Sequence, residues 1–177
     1  ITDPDNQLLW RMPRRRLELE AMRDAMLAVS GELDTNIGGR PFDFLANPVT
    51  PRRSIYGFVN RDIVSSLAST FDGANPNACA ATRAETNVPQ QTLFALNSDF
   101  IQDRAAALTS IETISAAKTD IDRVNLLYQR TFSRRPHPDE LKIALRYVQA
   151  NNDESKTSPW QRLAHVLLAA NEFIFVD

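Results

Sequence analysis

Five separated segments place apolar side chains at the spacing of a helix with one buried face. They are Leu17, Met22, Ala25, Met26 and Val29; Phe100, Ile101, Ala105 and Leu108; Ile121, Val124, Leu127 and Tyr128; Leu141, Ala144, Leu145 and Val148; and Trp160, Leu163, Val166, Leu167 with Phe173 beyond them. Their ends are punctuated as helix ends are. The first begins near Pro13 and stops at Gly31; Ser98 caps the second, which runs from Asp99 to about Ile114; Thr119 caps the third, Asp120 to Phe132. Asp139 and Glu140 put negative charge at the start of the fourth, and Ser158-Pro159 opens the last. Pro89 suits the first turn of a helix through Leu93, Phe94 and Leu96. Asp62 to Thr70 fits a short helix with Ile63, Val64 and Leu67 inward.

Against this stands one β-like run, Ser54 to Val59, which Gly57 interrupts, so that it reads as a strand or as a lone extended segment outside any true sheet. Glu32 to Pro51 holds Gly38, Gly39, Pro41 and Pro48 and reads as a long surface connection, wrapped on the body by Phe42, Phe44 and Leu45. Asp72 to Val88, with Gly73 and Pro76, reads as a second. The expected fold is mainly α: one irregular helical domain over 1–177, five or more helices, two long ordered loops, little or no sheet.

A chain of 177 residues with 43% hydrophobic and 24% charged residues can bury a sizeable core and is not disordered in bulk. Twenty basic against 22 acidic residues leave a net charge of -2, which gives no electrostatic footprint for nucleic acid or an anionic membrane. No apolar run approaches the ~20 residues of a membrane span. Cys79 is the single cysteine, so neither an intrachain disulfide nor a multi-thiolate metal site can form. The chain opens at Ile1 without an initiator Met or signal peptide and closes on NEFIFVD. It reads as a piece of something larger, whose targeting signal would lie upstream.

The stretch Arg52 to Asn97 concentrates polar and charged residues among aromatic ones, with only short helical pieces. Polar groups buried in a domain must be bonded and buried charges paired, so this stretch is either a folded network or a binding surface. Its candidate residues are Arg53, Tyr56, Arg61, Asp72, Arg83, Gln90, Gln91 and Asn97. Asp72 is expected to accept from Arg83 first, and from Arg53 or Arg61 next. The run Arg14-Arg15-Arg16 is answered by Glu18 and Glu20 and reads as a solvated helix face rather than an anion patch.

Catalytic signatures are absent. There is no G-x-S-x-G elbow, P-loop, G-x-G-x-x-G or H-E-x-x-H. His137 sits between two prolines in an interhelical turn, and His165 lies mid-helix among apolar neighbours, so the first reads as exposed and the second as packing. Cys79 has no basic neighbour before Arg83 to lower its pKa and reads as inert. Acid pairs drawn from Asp62, Asp72 and Glu85 would suit a glycosidase only at a defined separation. Trp10 and Trp160 could serve as sugar platforms or as core anchors.

Six ordered blocks carry a resemblance: DPDNQLLWRMPRRRLELEAMRDAMLAVSGELD, RRSIYGFVNRD, TFDGANPN, TNVPQQTLFALNSDFI, LYQRTFSRRPHPDEL and NEFIFVD. Together they span Asp3 to Asp177. The chain resembles the C-terminal domain of unknown function, number fifteen-fifty-three in that series, of large exported proteins of planctomycetes and related bacteria. One departure is noted, where the turn G-R-x-P has Arg134 in place of the glycine. The resemblance implies an exported, periplasmic or extracellular parent, often with a cytochrome-c-like haem domain, a second domain of unknown function and sometimes a sugar-binding-like sandwich. Haem would belong elsewhere in the parent, and no C-x-x-C-H motif or cofactor is expected here. The eight candidate residues match the family pattern, which assigns them no role.

Three functions follow as expectations. The first is a non-catalytic module that docks with other domains of the parent. The second is a carbohydrate-binding or carbohydrate-processing site on the central segment, with polysaccharide as ligand. The third is a docking surface for the cytochrome-c-like domain. Burial and mutual pairing of the central set would favour the first, and an open cleft with an aromatic floor the second.

Overall fold

Residues 3–4, 6–12, 14–43, 49–62, 66–79, 81–150 and 157–176 are described by the computed structural model. Within them the chain is mainly α. The elements run β1 (Arg15–Arg16), α1 (Leu19–Val29), a 3-10 turn (Ser54–Tyr56), α2 (Ser66–Thr70), α3 (Pro89–Asn97), α4 (Asp99–Ser110), α5 (Glu112–Ser115), α6 (Asp120–Phe132), α7 (Pro138–Ala150), α8 (Pro159–Leu168), α9 (Asn171–Ile174) and β2 (Phe175–Val176).

α4 lies at the centre and makes its most extensive contact with α8. Ala105 and Ala164 are both buried there, and small side chains let two helices approach closely. Met26, Leu27, Ile101, Leu108, Ile114, Val124, Leu127 and Leu168 are the largest fully buried side chains, drawn from α1, α4, α5, α6 and α8. Each such side chain contributes about 1.5–3 kcal/mol on burial, so this shared core is what fixes the scaffold. The only sheet among the described residues is the antiparallel pair β1–β2, with Arg16 opposite Phe175. Leu17 extends it by donating to the Ile174 carbonyl at 2.7 Å. The chain entering α1 is thereby tied to the residues following α9.

Helix ends follow their sequence signals in part. Gly31, at φ 79°, closes α1: its N–H reaches the Ala28 carbonyl and the Glu32 N–H reaches Leu27. Thr119 caps α6 through the Asp122 N–H, and Ser158 with Gln161 forms a complete capping box on α8. Ser98 occupies the N-cap of α4, but its hydroxyl makes no capping bond. The left-handed residue after α6 is Ser133, at φ 57°, with its N–H on the Gln129 carbonyl. Counting back from Pro136 puts Ser133, not Arg134, at the glycine of G-R-x-P. Arg134 then stands at the pattern's arginine.

Several expectations are corrected. α1 starts at Leu19 rather than near Pro13, because Arg15 and Arg16 are held extended by β2 and Glu18 is extended as well. The helix expected over Asp99 to Ile114 is two, since Ile111 is extended (ψ 128°) and separates α4 from α5. Ser54 to Val59 is no strand: Ser54–Tyr56 is a 3-10 turn, and Gly57 makes an isolated bridge to Phe42. Ile121 and Val166, expected inward, are exposed, and α3 buries Gln91 and Ala95. Ile63, Val64, Phe44 and Leu45 lie outside the described residues, as do Pro13 and Asp177.

Candidate functional site

β1 delivers one arginine of the Arg14-Arg15-Arg16 run inward, because consecutive strand residues face opposite ways. The Arg16 guanidinium donates to Asp72 Oδ2 at 2.6 Å, to the Thr86 carbonyl at 2.6 Å and to Gln91 Oε1. Asp72 is placed by the end of α2. Its N–H reaches the Ser69 carbonyl and that of Gly73 reaches Ala68, which makes Asp72 the left-handed residue of a Schellman turn at φ 56°. Gly73 is required here: a Cβ would stand 2.9 Å from the Ala68 carbonyl oxygen. Glycine or asparagine usually fills the position before it. Asp72 uses it to turn its carboxylate onto Thr86, whose N–H and hydroxyl donate at 2.8 Å each.

Gln91 of α3 closes the network, donating to the Thr70 carbonyl at 2.8 Å and to that of Thr86 at 3.2 Å. Four chain segments therefore meet: β1, the end of α2, the loop before α3, and α3. The Arg16 and Asp72 side chains are 11% and 9% exposed. Burial alone would raise the Asp72 carboxyl, but the Thr86 N–H and hydroxyl and the Arg16 guanidinium outweigh it and hold it below the ordinary carboxylate range. Beside the clamp is a cavity of about 70 Å³, lined by Arg16, Asn87 and Gln91 on one side and by Phe71, Met26 and Ile101 on the other. Ligand sites of drug size run to ~300–1,000 Å³, so this one suits a few waters and not a sugar ring.

A second clamp holds the first long loop to α1. Arg23 is buried and donates to the carbonyls of Arg52 at 2.9 Å and Thr50 at 2.5 Å and to the Ser54 hydroxyl at 3.2 Å. Asp24 accepts from the Ser54 N–H at 2.8 Å and its hydroxyl at 2.6 Å. Phe42 lies 5.3 Å from the Arg23 guanidinium. Arg52 adds a staple inside the loop, with bonds to the carbonyls of Arg40 (2.7 Å) and Gly38. A third pair joins the second loop to α1, where Arg83 bonds Glu20 in a fork at 2.8 and 3.1 Å and stands 3.0 Å from Glu18. A fourth fixes the other end of the molecule. Arg134 forks onto Glu140 at 2.8 Å twice and onto Glu172 at 2.5 and 2.7 Å.

The expected candidate residues separate. Asp72 and Gln91 meet, but the arginine on Asp72 is Arg16, and Arg83 pairs with Glu18 and Glu20 instead. Arg53 is half-exposed, 3.9 Å from Asp24. Tyr56 lies beneath the Arg52 guanidinium at 4.6 Å. Arg61 is exposed, and its carbonyl accepts from the Asn77 amide at 2.7 Å. Gln90 is exposed on α3, and exposed Asn97 bonds back to Leu93 of its own helix at 2.9 Å. The arginine run is no solvated helix face, since Arg16 is spent in the clamp. His137 is exposed in its turn; a ring nitrogen of half-buried His165 lies 2.8 Å from the Ala95 carbonyl. Cys79 is exposed. Trp160 is half-buried under the Arg123 guanidinium at 4.4 Å, whereas Trp10 is exposed.

Among the described residues no group of three His, Cys, Asp or Glu is placed to hold a metal ion, and no helix is long and apolar enough to cross a membrane. The family described as PSD1, protein of unknown function (DUF1553), matches residues 1–148. The chain belongs to that family. No curated protein and no solved structure matches it. All four members of the DUF1553 chain's central clamp lie in the matched range, while α8, α9 and β2 lie beyond it.

Proposed function

We propose that this DUF1553 chain is a non-catalytic module that docks with other domains of a larger exported protein. The observation that carries the reading is where the charge of the central segment goes. Asp72 is taken by Arg16 and Thr86, Asp24 by Ser54, and Arg83 by two glutamates. A general acid or base needs a reachable group with a pKa near the working pH, and Asp72 and Glu20 are instead moved downward. Such pairs fix loop positions; they do not turn over substrate. The described parts of the long loops that these pairs hold then present a defined surface, the part of a module in which recognition usually resides.

No cofactor is assigned to the chain in this reading. A cytochrome-c-like domain is one surface it would meet in a parent that carries one. A carbohydrate site would want an open groove with unspent carboxylates, and no observation favours it. The test is calorimetric titration of the chain with the remaining domains of its parent protein, alongside hydrolase assay on mixed polysaccharides. Saturable binding without turnover is expected. Turnover that is lost on changing a central acid, with the fold intact, would overturn the reading.

A further inference from the structure

The segment before β1 is built to keep large apolar side chains in water. Leu8, Leu9, Trp10 and Met12 are 82%, 77%, 56% and 70% exposed. Their exposure comes from an organised backbone. The Asp3 carboxylate accepts from the N–H groups of Gln7 at 3.0 Å and Leu8 at 2.7 Å, and the Asp3 carbonyl accepts from the Trp10 indole at 2.9 Å. The Asn6 side chain exchanges bonds with the Arg11 backbone, donating at 2.8 Å and accepting at 3.2 Å. Within that frame Asn6 and Leu9 sit at φ 55° and 53°. Asparagine tolerates the left-handed region; a leucine there costs roughly 1–2 kcal/mol. A closed, internally bonded knuckle thus holds strain and exposes its apolar tips together. Isolated exposed leucines are ordinary, but a fixed cluster of four large ones marks a contact surface.

The charge around the knuckle says what kind of surface would cover it. Asp3 is consumed by the knuckle's own backbone, Glu18 and Glu20 by Arg83, and Arg16 by Asp72. Arg11 lies over the Trp10 ring at 5.3 Å, and among the described residues neither Arg11 nor Arg15 has a carboxylate within ion-pair distance. Arg11 is therefore an exposed, unspent cation within the cluster, and Arg15, exposed on β1, is a second one three residues after Met12. An anionic lipid surface is the weaker match. Residues 3–20 balance Arg11, Arg14, Arg15 and Arg16 against Asp3, Asp5, Glu18 and Glu20, whereas lipid capture by charge wants a net cluster of about 4–8 basic groups.

We infer that residues 6–12 are the docking key of the module, and that its occupant is a protein surface with an apolar pocket rimmed by carboxylates. Leu8, Leu9 and Met12 fill the pocket, and Arg11 and Arg15 meet the rim. The inference rests on the docking reading above and names the site and partner chemistry for it. The knuckle's shape is fixed by its own bonds between Asp3, Asn6 and the backbone up to Arg11, so little ordering entropy within it is lost on binding.

The test titrates the chain with the remaining domains of the parent protein, produced as one polypeptide. Leu8→Asp and Arg11→Glu alter exposed groups and should leave the melting temperature unchanged. Leu8→Asp is expected to weaken binding at least tenfold. Arg11→Glu should weaken it several-fold at low salt and much less at ~0.5 M salt, where surface charge is screened. Equal binding by all three proteins would overturn the key while leaving docking intact. No binding by the unaltered chain would overturn both. Self-association in sedimentation, or pelleting with vesicles of phosphatidylcholine and phosphatidylglycerol, would overturn the proposed partner if Leu8→Asp abolished it.

Discussion

The guanidinium of Arg16 and the carboxylate of Asp72 meet at 2.6 Å across 56 residues of sequence. This contact joins the two-stranded sheet to the end of α2 and, through Thr86 and Gln91, to α3. Because Asp72 holds the C-terminal turn of α2 in a left-handed conformation, the ion pair and the backbone turn depend on one residue.

Asp72→Asn should lower stability by about 2–3 kcal/mol, the cost of leaving a nearly buried guanidinium without its charge partner. The backbone would not object, since asparagine tolerates the left-handed region at least as well. For a chain of this size the melting temperature should fall by roughly 5–10 °C. A mutant that melts like the parent in a thermal scan would show that the clamp contributes nothing.

The pairing of Arg83 with glutamates rather than Asp72 is open to a double-mutant cycle. Asp72→Asn combined with Arg16→Met should show a coupling of about 1–3 kcal/mol, because each change removes the same contact. Asp72→Asn with Arg83→Met should be additive to within about 0.5 kcal/mol. Arg83→Met alone should cost about 1 kcal/mol or less, its glutamates being largely solvated. Strong coupling of Asp72 to Arg83 would restore the pairing suggested by their proximity in sequence.

What could be read beforehand follows physical range. Periodicity and caps are local, so Thr119, Ser158 and Gly31 announced α6, α8 and the end of α1. Core membership was legible for Val124, Leu127, Ala144 and Leu163, where the inward stripe faces a neighbouring helix. It failed for Ile121 and Val166, because the stripe says which side of a helix is apolar and not how far along it a neighbour extends. The clamp was half legible. Asp72 and Gln91 stood out as polar residues in an apolar stretch, but nothing local in the arginine run marks Arg16 over Arg14 or Arg15. That choice is made by the register of β1 on β2, a contact between the two ends of the chain. Arg23 and Asp24 hid for the opposite reason, looking like ordinary compensated charge on an amphipathic helix.

Acid should weaken the Arg134 fork at the far end of the molecule. The Arg134 fork holds the Glu140 carboxyl at about 2, helped by the His137 N–H at 2.6 Å and opposed by burial. The folded value lies below the unfolded one, so the stabilisation is fully present above the ordinary glutamate pKa of 4.5 and is lost as pH falls from there towards 2. Glu20 and Asp72 are shifted the same way and add to the slope. Glu140 is about a third exposed, and solvent screening leaves its share at roughly 1 kcal/mol. Glu140→Gln should therefore cost about that much at pH 7 and only a small fraction of it at pH 2, where the folded carboxyl is itself half protonated. Denaturant midpoints at the two pH values decide it; an equal loss at both would mean packing rather than charge.

Ser133→Gly should stabilise the chain. Ser133 is left-handed at φ 57° where α6 ends, a conformation that costs a side-chain-bearing residue roughly 1–2 kcal/mol. Its N–H bond to Gln129 is a backbone bond and survives the change, and its hydroxyl has no partner among the described residues. Glycine removes the clash but brings more chain entropy to the unfolded state, returning about 0.5–1 kcal/mol of the gain. The net expectation is a gain of about 0.5–1 kcal/mol and a melting temperature higher by roughly 2–3 °C. Ser133→Ala keeps the Cβ and the clash, so it should change little and separates this account from a loss of the hydroxyl. A glycine variant that melts lower than the parent would mean that the strain released at Ser133 is smaller than the chain entropy glycine adds, and would overturn this account.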